Sequence, residues 1–142
     1  MLEQHVCHRL ESSSSYELLQ TVKGIGPILA QTIVLETGDI ARFPKVGDYA
    51  SYCRCVDSTK ISKGKRKGKG NVKNGNRYLS WAYAEAAYFA IRFQPQVQRY
   101  YQRKLAQSKV PVARKAVAHK LARAGYYMMR QQEPFDVMKA FG

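Results

Sequence analysis

A chain of 142 residues with 24 Lys and Arg against 10 Asp and Glu carries a formal net charge of +14, which is the length of one domain and the charge of a molecule that works beside a polyanion. With 45% hydrophobic residues it can bury a core, but it is too short to hold two full catalytic domains side by side. No apolar run reaches the length of a membrane span and no secretory leader opens the chain, so nucleic acid is the expected partner, no membrane is, and a cytoplasmic location is expected.

Residues 1–15 read as peripheral: Ser12 to Ser15 form a polar linker or cap, and Glu3 to Leu10 resemble the end of a truncated, longer helix, which points to a larger parent protein. From Tyr16 onward Leu18, Leu19 and Val22 fall at helical spacing, until Lys23-Gly24-Ile25-Gly26 interrupts them. Pro27 suits the first position of a second helix, on which Ile28, Leu29, Thr32, Ile33 and Leu35 continue an apolar face, with Gly38 as its stop. A short helix is expected over Val46 to Tyr52. Between residues 56 and 76 apolar side chains almost vanish and Lys and Gly dominate, the composition of a long basic glycine-rich loop. Asn74-Gly75-Asn76 then supplies turn and N-cap chemistry before an apolar helix from Arg77 to Phe93. Pro95 ends that helix and opens the next, to about Gln107. Pro111 does the same for a last helix over about Val112 to Arg130, whose apolar face uses Ala113, Ala116, Val117, Leu121, Ala124 and Met128. Residues 131–142 read as a tail. No strand alternation is present, so the expected class is all-α: a helix-hairpin-helix over residues 16–38, the basic loop, and further helices to residue 130.

Two segments carry the chemistry. In the hairpin, Gly24 and Gly26 permit a tight turn with positive φ and leave backbone N–H groups uncovered at the start of a helix, where the helix dipole favours an anion such as a DNA phosphate. Lys23 adds charge, Ile25 plugs the hairpin, and the small Ala30 lets the two helices approach. In the loop, Lys60, Lys63, Lys65, Arg66, Lys67 and Lys69, followed by Lys73, Asn76 and Arg77, repel one another in isolation and release counterions beside a phosphate backbone. Lysine senses phosphate charge and not base sequence. Ser62 stands among these cations, which favour both an alkoxide and the phosphate it would attack. Ser58 and Thr59 offer the same hydroxyl, and activation of any of them calls for a placed base.

Other candidates are weaker. Cys7, Cys53 and Cys55 are odd in number and lack disulfide spacing, so reduced thiols are expected. With His5 and His8 they offer soft ligands without finger spacing, and no metal site is assigned. Tyr78, Trp81, Tyr83, Tyr88 and Phe89 share one apolar helix and are assigned to the core, whereas Tyr100 and Tyr101 could stack on bases. Arg92, Arg99, Arg103, Arg114, Lys115, Lys120 and Arg123 lie on predicted helices, mostly as their ordinary polar faces, and His119 is expected to be structural.

Taken in order, Leu18 to Pro27, Gly38-Asp39-Ile40-Ala41-Arg42-Phe43, Ser62-Lys63-Gly64-Lys65, Lys73 to Leu79 and Ala86-Ala87 resemble the C-terminal transposase domain of the insertion sequence 110/116/902 family, over roughly Tyr16 to Tyr127. The resemblance implies DNA transposition by a two-part enzyme. An N-terminal RNase-H-like domain would bind divalent metal through four acidic residues, and a C-terminal domain would supply a serine that bonds covalently to a DNA phosphate, guided by a bridge RNA. By position that serine is Ser62, with Lys63 standing where the family often has glycine. Glu36, Asp39, Asp48, Asp57 and Glu85 form no recognisable metal cluster, so no cofactor is expected in this chain and divalent metal is expected only in the acidic domain. The isolated chain is therefore expected to bind DNA or guide RNA without recombining it, and strand exchange implies a homo-oligomer of the full-length protein. The alternative reading is a non-catalytic helix-hairpin-helix module that holds nucleic acid. A basic architectural protein is a third.

Overall fold

Prolines and one asparagine set four of the helix starts. Pro27, Pro95 and Pro111 each stand in the first turn of a helix, where a missing N–H leaves no bond unmade. Asn76 caps another, its Oδ1 accepting from the backbone N–H groups of Tyr78 at 2.8 Å and Leu79 at 3.0 Å. The structure, a computed structural model, describes residues 13–55 and 75–142. Among these residues all regular structure is helical, as the sequence predicts. Residues 13–19 lie in α1. Then come α2 (Pro27–Thr37), a 3-10 turn (Ile40–Arg42), α3 (Val46–Tyr52), α4 (Arg77–Phe93), α5 (Pro95–Gln107), α6 (Val110–Gln131) and α7 (Val137–Phe141). No helix of the described residues is long and apolar enough to cross a membrane.

The core lies where α2, α3 and α5 close around α4 and α6, with α4 and α6 packed on each other. Small side chains make this possible. Ala82, Ala86, Ala87 and Ala90 form the buried face of α4, so neighbouring backbones approach closely. On α6 the buried face is Ala113, Val117, Ala118, Leu121, Ala122, Gly125, Tyr126, Met128 and Met129. It is wider than the sequence suggests, and Ala116 and Ala124 lie at its half-buried edge.

A line of hydroxyls crosses this core. Thr37 Oγ1 and Tyr49 OH are 2.8 Å apart, and Tyr49 OH and Tyr83 OH are 3.0 Å apart, with both tyrosines fully buried. Burial pushes both phenols well above their ordinary pKa, so they remain neutral hydrogen-bonding groups. Gly125 of α6 sits directly against the Tyr83 hydroxyl, where any side chain would collide with it. Nearby, Tyr126 OH donates to the Phe43 carbonyl at 2.8 Å, and Arg130 donates to the same carbonyl at 3.1 Å. These bonds satisfy an irregular segment between α2 and α3 that no helix could satisfy for it.

Four expectations change. Ser13 to Ser15 are helical rather than linker, and Ser15 is buried and accepts a hydrogen bond from Gln132 Nε2 at 3.1 Å. Residues 131–142 are not a free tail: α7 folds back, Phe141 is buried against Tyr100, and Lys120 holds the Ala140 carbonyl at 3.1 Å. On α2 the buried residues are Leu29, Ala30, Ile33 and Thr37, whereas Ile28 is 73% and Leu35 69% exposed. On α4 only Tyr83 of the five aromatic candidates enters the core, while Tyr78, Trp81, Tyr88 and Phe89 face outward. The reason is shared by the two helices. Each carries two apolar stripes, and tertiary packing chooses between them; on α4 the alanine stripe permits the closer helix packing.

Candidate nucleic-acid interface

The hairpin turn is built around Gly24. Its φ of +134° is open only to glycine, and Ile25 N closes the turn onto the Val22 carbonyl at 3.1 Å. A Cβ at Gly24 would stand 2.8 Å from both the Ala86 carbonyl oxygen and the Ala90 nitrogen. The glycine is therefore needed for the backbone of the turn to lie against the backbone of α4. Gly26 differs from expectation: its φ of −92° is an ordinary extended value, and a Cβ there would meet nothing within 4 Å. The positive-φ requirement belongs to Gly24 alone. Gly26 is the exposed N-cap of α2, and no side chain caps that helix end. Lys23 is exposed beside it. Ile25 is buried, and Ala30 fully so.

The described residues on either side of positions 56–74 are drawn together, and this junction is the neck of the expected loop. Asn76 N donates to the Tyr52 carbonyl at 2.7 Å, and Asn76 Nδ2 donates to Glu36 Oε1 at 2.9 Å and to Tyr52 OH at 3.3 Å. Arg42 lies over the rings of Phe43 and Tyr52 at 4.6 and 4.9 Å and donates to the Thr37 carbonyl at 3.0 Å. Hydrogen bonds from Asn76 and then from Arg42 hold the Tyr52 hydroxyl below its ordinary pKa. Asn76 thus spends its side chain on the cap and on this neck. Arg77, next in sequence, is exposed, lies 5.1 Å over the Tyr78 ring and donates to its hydroxyl.

Helix α2 runs antiparallel to α4. The turn that precedes it, at Gly24, meets Ala86 and Ala90, and its last turn, at Glu36, meets Asn76. The hairpin turn and the loop neck therefore occupy opposite ends of this helix pair, roughly 15–20 Å apart at the helical rise of about 1.5 Å per residue. The described residues do not place them side by side. Ser62, Lys60, Lys63, Lys65, Arg66, Lys67, Lys69 and Lys73 lie outside the described residues, as do Ser58, Thr59, His5, Cys7 and His8.

What spans the distance was missed in the sequence. The outward face of α4 carries Tyr78, Trp81, Tyr88, Phe89 and Phe93 with Arg77 and Arg92, and Arg114 of α6 reaches over Tyr88 at 5.5 Å. The signal that could have revealed it is the alanine stripe on the same helix, which competes with the aromatics for the core.

The other candidates are placed as follows. Cys53 and Cys55 are buried; burial first and the neighbouring Cys55 second raise the Cys53 thiol, and burial pushes Cys55 up to about 12, so neither is a ready thiolate. Arg92, Arg99, Arg103, Arg114, Lys115 and Arg123 are exposed, and Tyr100 and Tyr101 are half-buried against the core. His119 is half-buried, its pKa lowered by burial and then by Arg123 and Lys120.

Comparison with known proteins agrees with the resemblance. The family described as Transposase IS116/IS110/IS902 matches residues 16–102. An insertion element IS110 uncharacterized 43.6 kDa protein of Streptomyces coelicolor is 29% identical over 108 residues, covering 76% of this chain and 27% of that protein. The chain thus spans about a quarter of the length of this curated relative. No solved structure matches. The match runs from α1 through the hairpin, the neck and the aromatic helix into α5, more than half of the chain, and on that ground the chain belongs to the Transposase IS116/IS110/IS902 family.

Proposed function

We propose that this chain is the DNA-handling part of a transposase: it grips nucleic-acid backbone at the hairpin and the basic loop and supplies Ser62 as a nucleophile for strand exchange. Family membership is the observation that carries the reading. The net charge of +14 and the exposed, uncapped start of α2 beside Lys23 support backbone binding. Because the hairpin and the loop neck are at opposite ends of α2 and α4, the two contacts would fall on separate phosphates along one nucleic acid rather than on one spot.

In the proposed step Ser62 Oγ attacks a backbone phosphorus, its proton passing to a base. A serine–phosphate ester forms, and the displaced deoxyribose oxygen leaves as a hydroxyl after taking a proton. Metal, guide RNA and a second protomer would come with the rest of the full-length protein. The test uses that protein on a suicide DNA substrate whose cleaved strand cannot religate. A covalent adduct that disappears with Ser62→Ala, while DNA binding is retained, is the expected result. Recombination by the alanine variant would show that Ser62 is not the nucleophile.

A further inference from the structure

The outward face of α4 leaves large aromatic side chains partly open to solvent. Trp81 is 48% and Phe93 58% exposed, and Tyr88 and Phe89 are also open to solvent. Aromatic side chains are the residues a fold gains most by burying, so several left partly outside on one helix mark a surface for something else. The rings are ordered among themselves. Tyr88 and Phe89 meet edge to face at 5.3 Å, and Phe89 and Phe93 lie within 8° of parallel at 6.5 Å between centroids. Arginines border them: Arg92 stands 5.9 Å from the Tyr88 ring and 5.7 Å from Phe93, and Arg114 stands 5.5 Å from Tyr88.

We propose that this face of α4 is a stacking platform for unpaired bases, a binding site for single-stranded nucleic acid distinct from the phosphate contacts of the hairpin and loop. Alternating rings and arginines suit a polyanion whose flat groups need π-faces and whose backbone needs cations. A duplex has its base faces already stacked on one another, so only an unpaired strand can use the rings. The net charge of +14 favours a polyanion on this face over a second, equally charged copy of the chain. The exposed rings run along α4 from Tyr78, beside the Asn76 cap, to Phe93 at its end. The inference rests on the nucleic-acid reading above but not on Ser62.

Trp81 is the only tryptophan of the chain and reports on the face directly. The 142-residue chain is titrated with an oligothymidylate of about 12 nucleotides and with a duplex of the same length. The expected result is saturable quenching of Trp81 by the single strand and none by the duplex. Replacing two rings with aliphatic groups, Tyr88→Leu with Phe89→Leu, keeps the apolar area but removes the stacking faces. It should weaken strand binding about tenfold or more while duplex binding and the melting temperature hold. If that pair does not fold, Trp81→Leu, read by anisotropy of a labelled strand, must show the same loss. Duplex binding without strand-specific quenching overturns the platform and leaves the backbone reading standing, whereas binding to neither overturns both. Unchanged strand affinity in the leucine variants, or Trp81 changes that follow dimerisation in sedimentation velocity, also overturns it.

Discussion

Two glycines two residues apart do different work, and a single methyl group separates their roles. At Gly24 an added Cβ meets two backbone atoms of α4 at 2.8 Å, and the φ of +134° is strained for any other residue. Backbone cannot swing aside as a flexible side chain can, so Gly24→Ala is expected to cost about 2–4 kcal/mol of folding stability. At Gly26 the space is open and φ is −92°, so Gly26→Ala forfeits only the better N-cap residue, under about 1 kcal/mol. Urea denaturation of the two variants checks the difference, and equal losses would mean that the turn does not lie on α4 as described. The glycines were legible as a turn because positive φ is a local demand. The contact of Gly24 with Ala86 and Ala90 was not, because it joins residues far apart in sequence and leaves no local signature. Asn76 shows the same limit: its cap was legible from its place before an apolar run, and its bonds to Glu36 and Tyr52 were not.

At the scale of elements, the hydroxyl line through Thr37, Tyr49 and Tyr83 ties α2, α3 and α4 into one core. Tyr49 is its middle member. Tyr49→Phe removes one oxygen and takes a partner from two buried hydroxyls, with an expected loss of about 2–3 kcal/mol. Tyr83→Phe removes the end of the line and leaves the Thr37–Tyr49 bond intact, for about 0.5–1.5 kcal/mol. Thermal melts of the two phenylalanine variants should rank in that order. The reverse order would place the weight of the network at Tyr83 and Gly125 instead. The bounds of α3, α4 and α5 agree with the sequence reading, and at the starts of α4 and α5 the reason is local: Asn76 caps one and Pro95 opens the other. The buried faces of α2 and α4 do not, because each helix offers two apolar stripes and tertiary packing chooses between them. Leu35 and Trp81 lost that competition to Ile33 and Ala82.

For the whole molecule, the proposed function divides the labour of binding between the positive charge and the fold. The compact helices fix where the hairpin turn, the loop neck and the aromatic face sit, and the lysines between residues 60 and 73 supply much of the charge. Charge of this kind binds by releasing counterions, so its contribution is visible in salt dependence rather than in any one affinity. Each phosphate neutralised contributes about −0.9 to the slope of log K against log salt for duplex DNA. If the loop lies on the backbone, replacing Lys65, Arg66 and Lys67 together by Gln should flatten that slope by roughly 2–3. Ser62→Ala carries no charge change and should leave the slope where it was. Titrations of both variants against the parent at several salt concentrations separate a binding role of the loop from a chemical role of its serine. A slope unchanged by the triple replacement would confine backbone binding to the hairpin and the helical arginines, and would leave Ser62 without the cationic surroundings its chemistry calls for.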